Sequence, residues 1–192
     1  MASRPAVFID RDGTLTEEVG YVNHPKRLRL LPRSAEAILR LNTAGVAAVV
    51  VTNQAGVARG YFSEDTLHAV NGALARQLKD AGAQLDGLYV CSHHPREGEP
   101  PFRMDCDCRK PRPGMLLRAA ADLGLDLTTS VVIGDKPSDL AVAPAVGARS
   151  VLVLTGYGLG EWEYRRATFP VQPDHVAGDL LDAVDWILGG RR

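Results

Sequence analysis

Asp10-Arg11-Asp12-Gly13-Thr14 sets two carboxylates two residues apart, directly behind the apolar run Ala6 to Ile9. Acids that close repel, and a hard divalent cation such as Mg²⁺ is the usual means of keeping one ionised beside a phosphate. An Asx turn capped by Gly13 would use the same residues. A second acidic pair, Asp135 and Asp139, follows the run Val131 to Ile133 in the same way, which weighs against two unrelated turns. Thr52, Asn53 and Gln54 close a third apolar run with a hydroxyl and two amides able to donate to phosphate oxygens. Lys110, just ahead of a helical pattern beginning near Pro113, carries an ammonium suited to neutralising a phosphoryl group.

A different chemistry lies between these acids. Cys91-x-His93 and Cys106-x-Cys108 supply four soft or borderline ligands, the number a tetrahedral structural Zn²⁺ site requires. They use all three cysteines, and an odd number clustered in one stretch argues against a disulfide framework. His93 is taken as the fourth ligand, with the adjacent His94 an alternative that the residues leave open. His94 to Asp105 holds too few apolar residues to order itself against chain entropy. Zinc would staple the loop 91–108 and so fix Arg109 and Lys110, which follow it.

The elements that must position these groups are legible as short β-branched runs alternating with helical patterns. Ala6 to Ile9, Val46 to Val51, Gly87 to Cys91, Val131 to Ile133 and Val151 to Leu154 are continuous apolar runs, the pattern of strands buried on both faces. Helices are predicted over Ser34 to Asn42, Ser63 to about Lys79, Pro113 to Leu123, Ser138 to Val146 and about Asp179 to Leu188. Five parallel strands with crossover helices make a doubly wound α/β sheet, in which ligands bind beyond the carboxyl ends of the strands. The reading is one domain over 1–192. Gly156 to Asp174, with Trp162 and Tyr164, carries no pattern that separates a place beside the site from a cover over the sheet edge.

Composition narrows the function classes. Of 192 residues, 22 Lys and Arg nearly balance 23 Asp and Glu, so there is no large basic face for nucleic acid and no polybasic membrane patch. The first apolar run is too short for a signal peptide, and no window reaches a membrane span. A cytoplasmic protein is expected.

The DxDGT box at Asp10 to Thr14, Thr52 at the end of the second strand, Lys110, and the GDKPSD box at Gly134 to Asp139 together resemble the four motifs of the haloacid dehalogenase superfamily of phosphohydrolases, in order. The resemblance implies a Rossmann-like sheet and a Mg²⁺-dependent phosphatase. It makes Asp10 the nucleophile that forms an aspartyl-phosphate and Asp12 the acid and then base. It places Mg²⁺ on the Asp10 and Asp135 carboxylates and the Asp12 backbone carbonyl, with Thr52, Asn53 and Lys110 cradling the phosphate. Asp139 either assists the metal or orients Lys136, and the orienting role is favoured.

The segments TNQAGVARG, CSHHP and CDCRKPRPGM are similar to the heptose 1,7-bisphosphate 7-phosphatases within that superfamily, and also to its histidinol-phosphate phosphatases. Apart from the zinc loop there is no large insertion, so no cap domain and an open pocket are expected. A bisphosphate carries a second dianion, for which Arg59 and Arg109 are reasonable bidentate partners, with Lys136 a further substrate contact. Two arginines would repel the amine of histidinol phosphate. The implied activity is removal of the C7 phosphate in the making of nucleotide-activated heptose, by a monomer acting on a small sugar phosphate.

Overall fold

A computed structural model describes residues 3–190; residues 1, 2, 191 and 192, within the predicted domain 1–192, lie outside the described part. The strands are β1 (Ala6–Ile9), β2 (Ala47–Asn53), β3 (Gly87–Cys91), β4 (Val131–Gly134), β5 (Arg149–Val153) and β6 (His175–Ala177). All pair in parallel in the order β3-β2-β1-β4-β5-β6. Connections run one way from β1 to β3 and the other way from β4 to β6, so the topological switch falls between β1 and β4.

Why the strands read as unbroken apolar runs is plain from where alternate residues go. Val7, Ile9, Ala48, Val50, Ile133 and Val151 pack into one core cluster, while Ala6, Phe8, Ala47, Val49, Val51 and Val132 pack into another on the opposite face. The first face is covered by α1 (Ser34–Thr43), α2 (Glu64–Asp80) and a C-terminal helix, Leu180–Gly189; the second by α3 (Gly114–Leu123). Ser63 caps α2 by accepting from the Thr66 N–H, and Gly124 ends α3 in the left-handed region.

Two expectations are corrected. The helix predicted over Ser138 to Val146 is a single turn, α4 (Pro137–Leu140), followed by a 3₁₀ turn at Pro144–Val146. Pro144 has no N–H to give, and its ring would clash with the carbonyl four residues back, so the helix cannot continue through it. The sheet also has a sixth strand, three residues long and half-buried, too short to show a pattern. The segment left unassigned forms α5 (Gly158–Arg165) and a 3₁₀ turn, with Trp162 against Phe169; the C-terminal helix is α6. Among the described residues no helix is long and apolar enough to cross a membrane.

Candidate active site

The switch point places the carboxyl ends of β1, β2 and β4 side by side, and there the chemistry-bearing residues converge. Asp10 follows β1, its N–H bonded to the Ile133 carbonyl of β4 at 2.9 Å. A cleft of about 310 Å³ is lined by residues that include Asp10, Asp12, Thr52, Asn53, Arg109, Lys110 and Lys136.

Lys110 is the hub. Its ammonium is buried and donates to Asp10 Oδ1 at 2.6 Å and the Val51 carbonyl at 2.8 Å, and sits 2.8 Å from Asp139 Oδ1. Burial acts to lower its affinity for its proton, and Asp10 and Asp139 more than offset that, so it stays charged above its ordinary range. Asn53 fixes the Lys110 backbone, donating to its carbonyl at 3.1 Å and accepting from its N–H at 3.0 Å. The Asn53 amide thus braces the Lys110 backbone, and Asn53 also lines the cleft where a phosphate contact is expected of it.

Asp10, Asp135 and Asp139 each offer a carboxylate oxygen within 4.8 Å of the others. Burial pushes Asp10 up to about 6, Lys110 opposing and Asp139 and Asp12 adding. Burial likewise pushes Asp135 up to about 7, against Lys136. Asp135 Oδ2 accepts the Tyr157 N–H at 2.9 Å, while its Oδ1 is buried without a hydrogen-bond partner. Buried carboxylates this short of donors fit a hard divalent cation, which would reverse both shifts. Gly13 and Gly156, both at positive φ, close over this carboxylate; a Cβ on either would strike Asp135 Oδ2.

Asp139 does not orient the Lys136 ammonium. It pairs with Lys110 and accepts the Lys136 backbone N–H at 3.1 Å. The Lys136 ammonium instead meets Glu18 at 3.0 Å and lies 3.8 Å from Asp135 and 4.6 Å from the centre of the Tyr157 ring. Asp12 is held by the fully buried Arg11, whose Nε and Nη2 reach its two oxygens at 3.0 and 2.8 Å, and by Gln54 Nε2 at 2.6 Å. The remaining Arg11 nitrogen bonds Asn71 of α2 at 2.9 Å. Gln54 also donates to Thr52 Oγ1 at 2.9 Å.

Beyond β3 the second cluster forms. Sγ of Cys91, Cys106 and Cys108 lie 3.1 to 3.5 Å apart, and His93 Nδ1 is 3.4 Å from Cys108 and 3.9 Å from Cys91. Tetrahedral sulfur ligands about 2.3 Å from zinc would be about 3.8 Å apart, so the arrangement is close to a four-ligand cage. Burial pushes the Cys91 and Cys108 thiols up, which a cation would undo. His94 stands outside the cluster, its Nδ1 accepting from the N–H groups of Arg96 and Glu97. Arg109 donates to the His93 carbonyl at 3.2 Å and Arg112 to that of Cys106 at 2.7 Å, so the cations after the cluster are tied to its backbone. Phe102 anchors the loop on Val57, Phe62 and Leu67.

Arg59 is not among the residues lining the cleft; it is 3.6 Å from Glu97 of the loop. Glu18 and Tyr157, which do line it, were missed. Glu18 carries no signal beyond a polar residue in a loop, and Tyr157 lies in the stretch that showed no pattern.

A family model described as HAD-hydrolase-like matches residues 107–183. The chain is 44% identical over 193 aligned residues to D-glycero-D-manno-heptose-1,7-bisphosphate 7-phosphatase of Thermosynechococcus vestitus, covering 96% of this chain and 95% of that protein. The chain belongs to the heptose 1,7-bisphosphate 7-phosphatase family. A second member, D-glycero-beta-D-manno-heptose-1,7-bisphosphate 7-phosphatase of Escherichia coli K12, is 40% identical, with 97% and 89% covered. The crystal structure of the family's D,D-heptose 1,7-bisphosphate phosphatase from B. bronchiseptica, complexed with magnesium and phosphate, superposes with a TM-score of 0.84 at 33% identity, covering 97% of this chain and 99% of that one. The shared fold is the Rossmann-like haloacid dehalogenase sheet without a large cap.

Proposed function

We propose that this chain is a Mg²⁺-dependent phosphatase that removes the C7 phosphate of D-glycero-D-manno-heptose 1,7-bisphosphate, in the making of nucleotide-activated heptose. The observation that carries the reading is Asp10 held buried on the Lys110 ammonium beside an Asp135 oxygen without a donor, at the sheet's switch point. The identity of the substrate is drawn from the named relatives.

In this reading an Asp10 carboxylate oxygen attacks phosphorus as the bond to the C7 oxygen breaks, and Asp12 gives its proton to the departing alkoxide. Asp12 then takes a proton from water, which attacks the aspartyl-phosphate; the bond to Asp10 breaks and inorganic phosphate leaves. Lys110 holds Asp10 in line and, with Thr52, faces the phosphoryl oxygens. Mg²⁺, when bound, neutralises charge on the transferring phosphoryl group; the Asp10 and Asp135 carboxylates and the Asp12 carbonyl would hold it. Asp139 serves as the second counter-charge of Lys110.

Cys91, His93, Cys106 and Cys108 would hold Zn²⁺ as a structural ion, in a reducing cytoplasm where their thiols persist. The loop 91–108 is then part of one working unit, 1–192, and reaches the open cleft through Arg109 and Lys110, which follow the loop and line the cleft. Arg109, on the cleft and tied to the cage, is the partner for the second phosphate. Arg59, off the cleft lining and paired with Glu97, holds the loop and has the lesser part in binding. Phosphorus NMR of the reaction tests the reading: the C7 resonance should convert to inorganic phosphate while the C1 resonance stays. Loss of the C1 phosphate, or no Mg²⁺-dependent loss, would refute it.

A further inference from the structure

We infer that Tyr157 is a positioning residue for the phosphate-facing side of the cleft, acting through the ammonium of Lys136. The inference rests on the phosphatase reading above and on contacts outside the acid and zinc motifs.

Lys136 has a flexible four-carbon stem, and an ammonium at the mouth of an open cleft would sample many positions. Three strand-end loops restrain it. Glu18, after β1, accepts a hydrogen bond from it at 3.0 Å; Asp135, after β4, lies at 3.8 Å; and Tyr157, after β5, lays its ring 4.6 Å from the ammonium. The Glu18 hydrogen bond directs one N–H, and Asp135 attracts the ammonium without directing another. The ring lies against one side of it as a cation–π partner, and the half-exposed Tyr157 lines the cleft together with Lys136.

The backbone beneath the ring is rigid. Thr155 Oγ1 donates to the Gly13 carbonyl at 2.6 Å, Gly156 takes φ +57° against Gly13 and Asp135, and the Tyr157 N–H is bonded to Asp135. A side-chain change at 157 leaves that N–H in place, so the ring can be tested apart from the metal ligand. Half exposure lets such variants fold.

The test compares Tyr157→Leu and Tyr157→Phe in the parent and in a Lys136→Met background, on the heptose bisphosphate and on p-nitrophenyl phosphate. Tyr157→Leu should lower kcat/KM roughly 2- to 30-fold, the span of a cation–π contact, and Tyr157→Phe should restore most of it. In the Lys136→Met background the leucine change should have no further effect. Calorimetric binding of inorganic phosphate in Mg²⁺ should weaken with the kinetic loss, while the rise in Tm on adding Mg²⁺ should match the parent's. An equal loss with Lys136 absent, or equal losses for Phe and Leu, overturns the inference. Activity of the parent on p-nitrophenyl phosphate alone overturns the substrate reading, and the same cycle on that ester still decides the role of Tyr157.

Discussion

Replacing Lys110 by Met keeps the stem and removes the charge, leaving Asp10 and Asp139 facing each other in a space where the three side chains are 2 to 8% exposed. Breaking a buried pair by removing one partner costs about 3–5 kcal/mol. At about 2–4 °C per kcal/mol for a chain of this size, Tm should fall by roughly 6–20 °C at pH 8 without Mg²⁺. The loss must depend on pH. Asp10 already stands at about 6 in the folded protein against 3.8 for an ordinary aspartate, and Lys110 is what holds it down. Without the lysine its folded value rises further. A folded value above the unfolded one means protons bind the native state more tightly, so this stabilisation is present at low pH and lost as pH rises through the folded value. Lys110→Met should therefore recover much of its deficit at pH 5.5, where Asp10 binds its proton more readily than in the unfolded chain. Scanning calorimetry of both proteins at pH 5.5 and 8.0, in EDTA and in Mg²⁺, measures this. A variant within 2 °C of the parent at pH 8 in EDTA (about 1 kcal/mol) would show that Lys110 does not compensate the buried acids.

Asp10→Asn removes the nucleophile at nearly constant volume and should cut turnover at least about 10³-fold with little change in circular dichroism; near-parent turnover would sink the covalent mechanism. Cys106→Ser breaks the cage and should expose the loop 94–105 to limited proteolysis and lower activity, with the Mg²⁺-dependent rise in Tm retained; an intact loop and full activity would uncouple cage from catalysis. Arg109→Ala should raise KM for the bisphosphate by roughly 10-fold or more, as loss of a charged hydrogen bond does, and Arg59→Ala by less; the reverse order would return the second phosphate to Arg59.

Much of this was legible because strands buried on both faces must be continuous apolar runs, and the groups that break them, Asp10, Thr52 and Asp135, sit at their ends. Cys and His at fixed spacing are equally plain, since few other uses fit four such ligands. What stayed hidden depends on side-chain direction. The sequence places Asp139 three residues from Lys136, yet one turn of helix aims its carboxylate at Lys110, 29 positions away in the chain. That Asn53 also closes on the Lys110 backbone is set by the fold and not by its neighbours in sequence. Tyr157 reaches the cleft because β5 ends beside β4, a neighbourhood set by sheet order that no local pattern records.

The most direct test of the central claim is Mg²⁺-dependent phosphate release, with kcat/KM determined side by side for both anomers of D-glycero-D-manno-heptose 1,7-bisphosphate and for histidinol phosphate. The account predicts a clear preference for a heptose bisphosphate, with one equivalent of phosphate released and none in EDTA. Preference for histidinol phosphate would leave the acids, Lys110 and the cage in place and contradict the assignment of the cleft to a second phosphate.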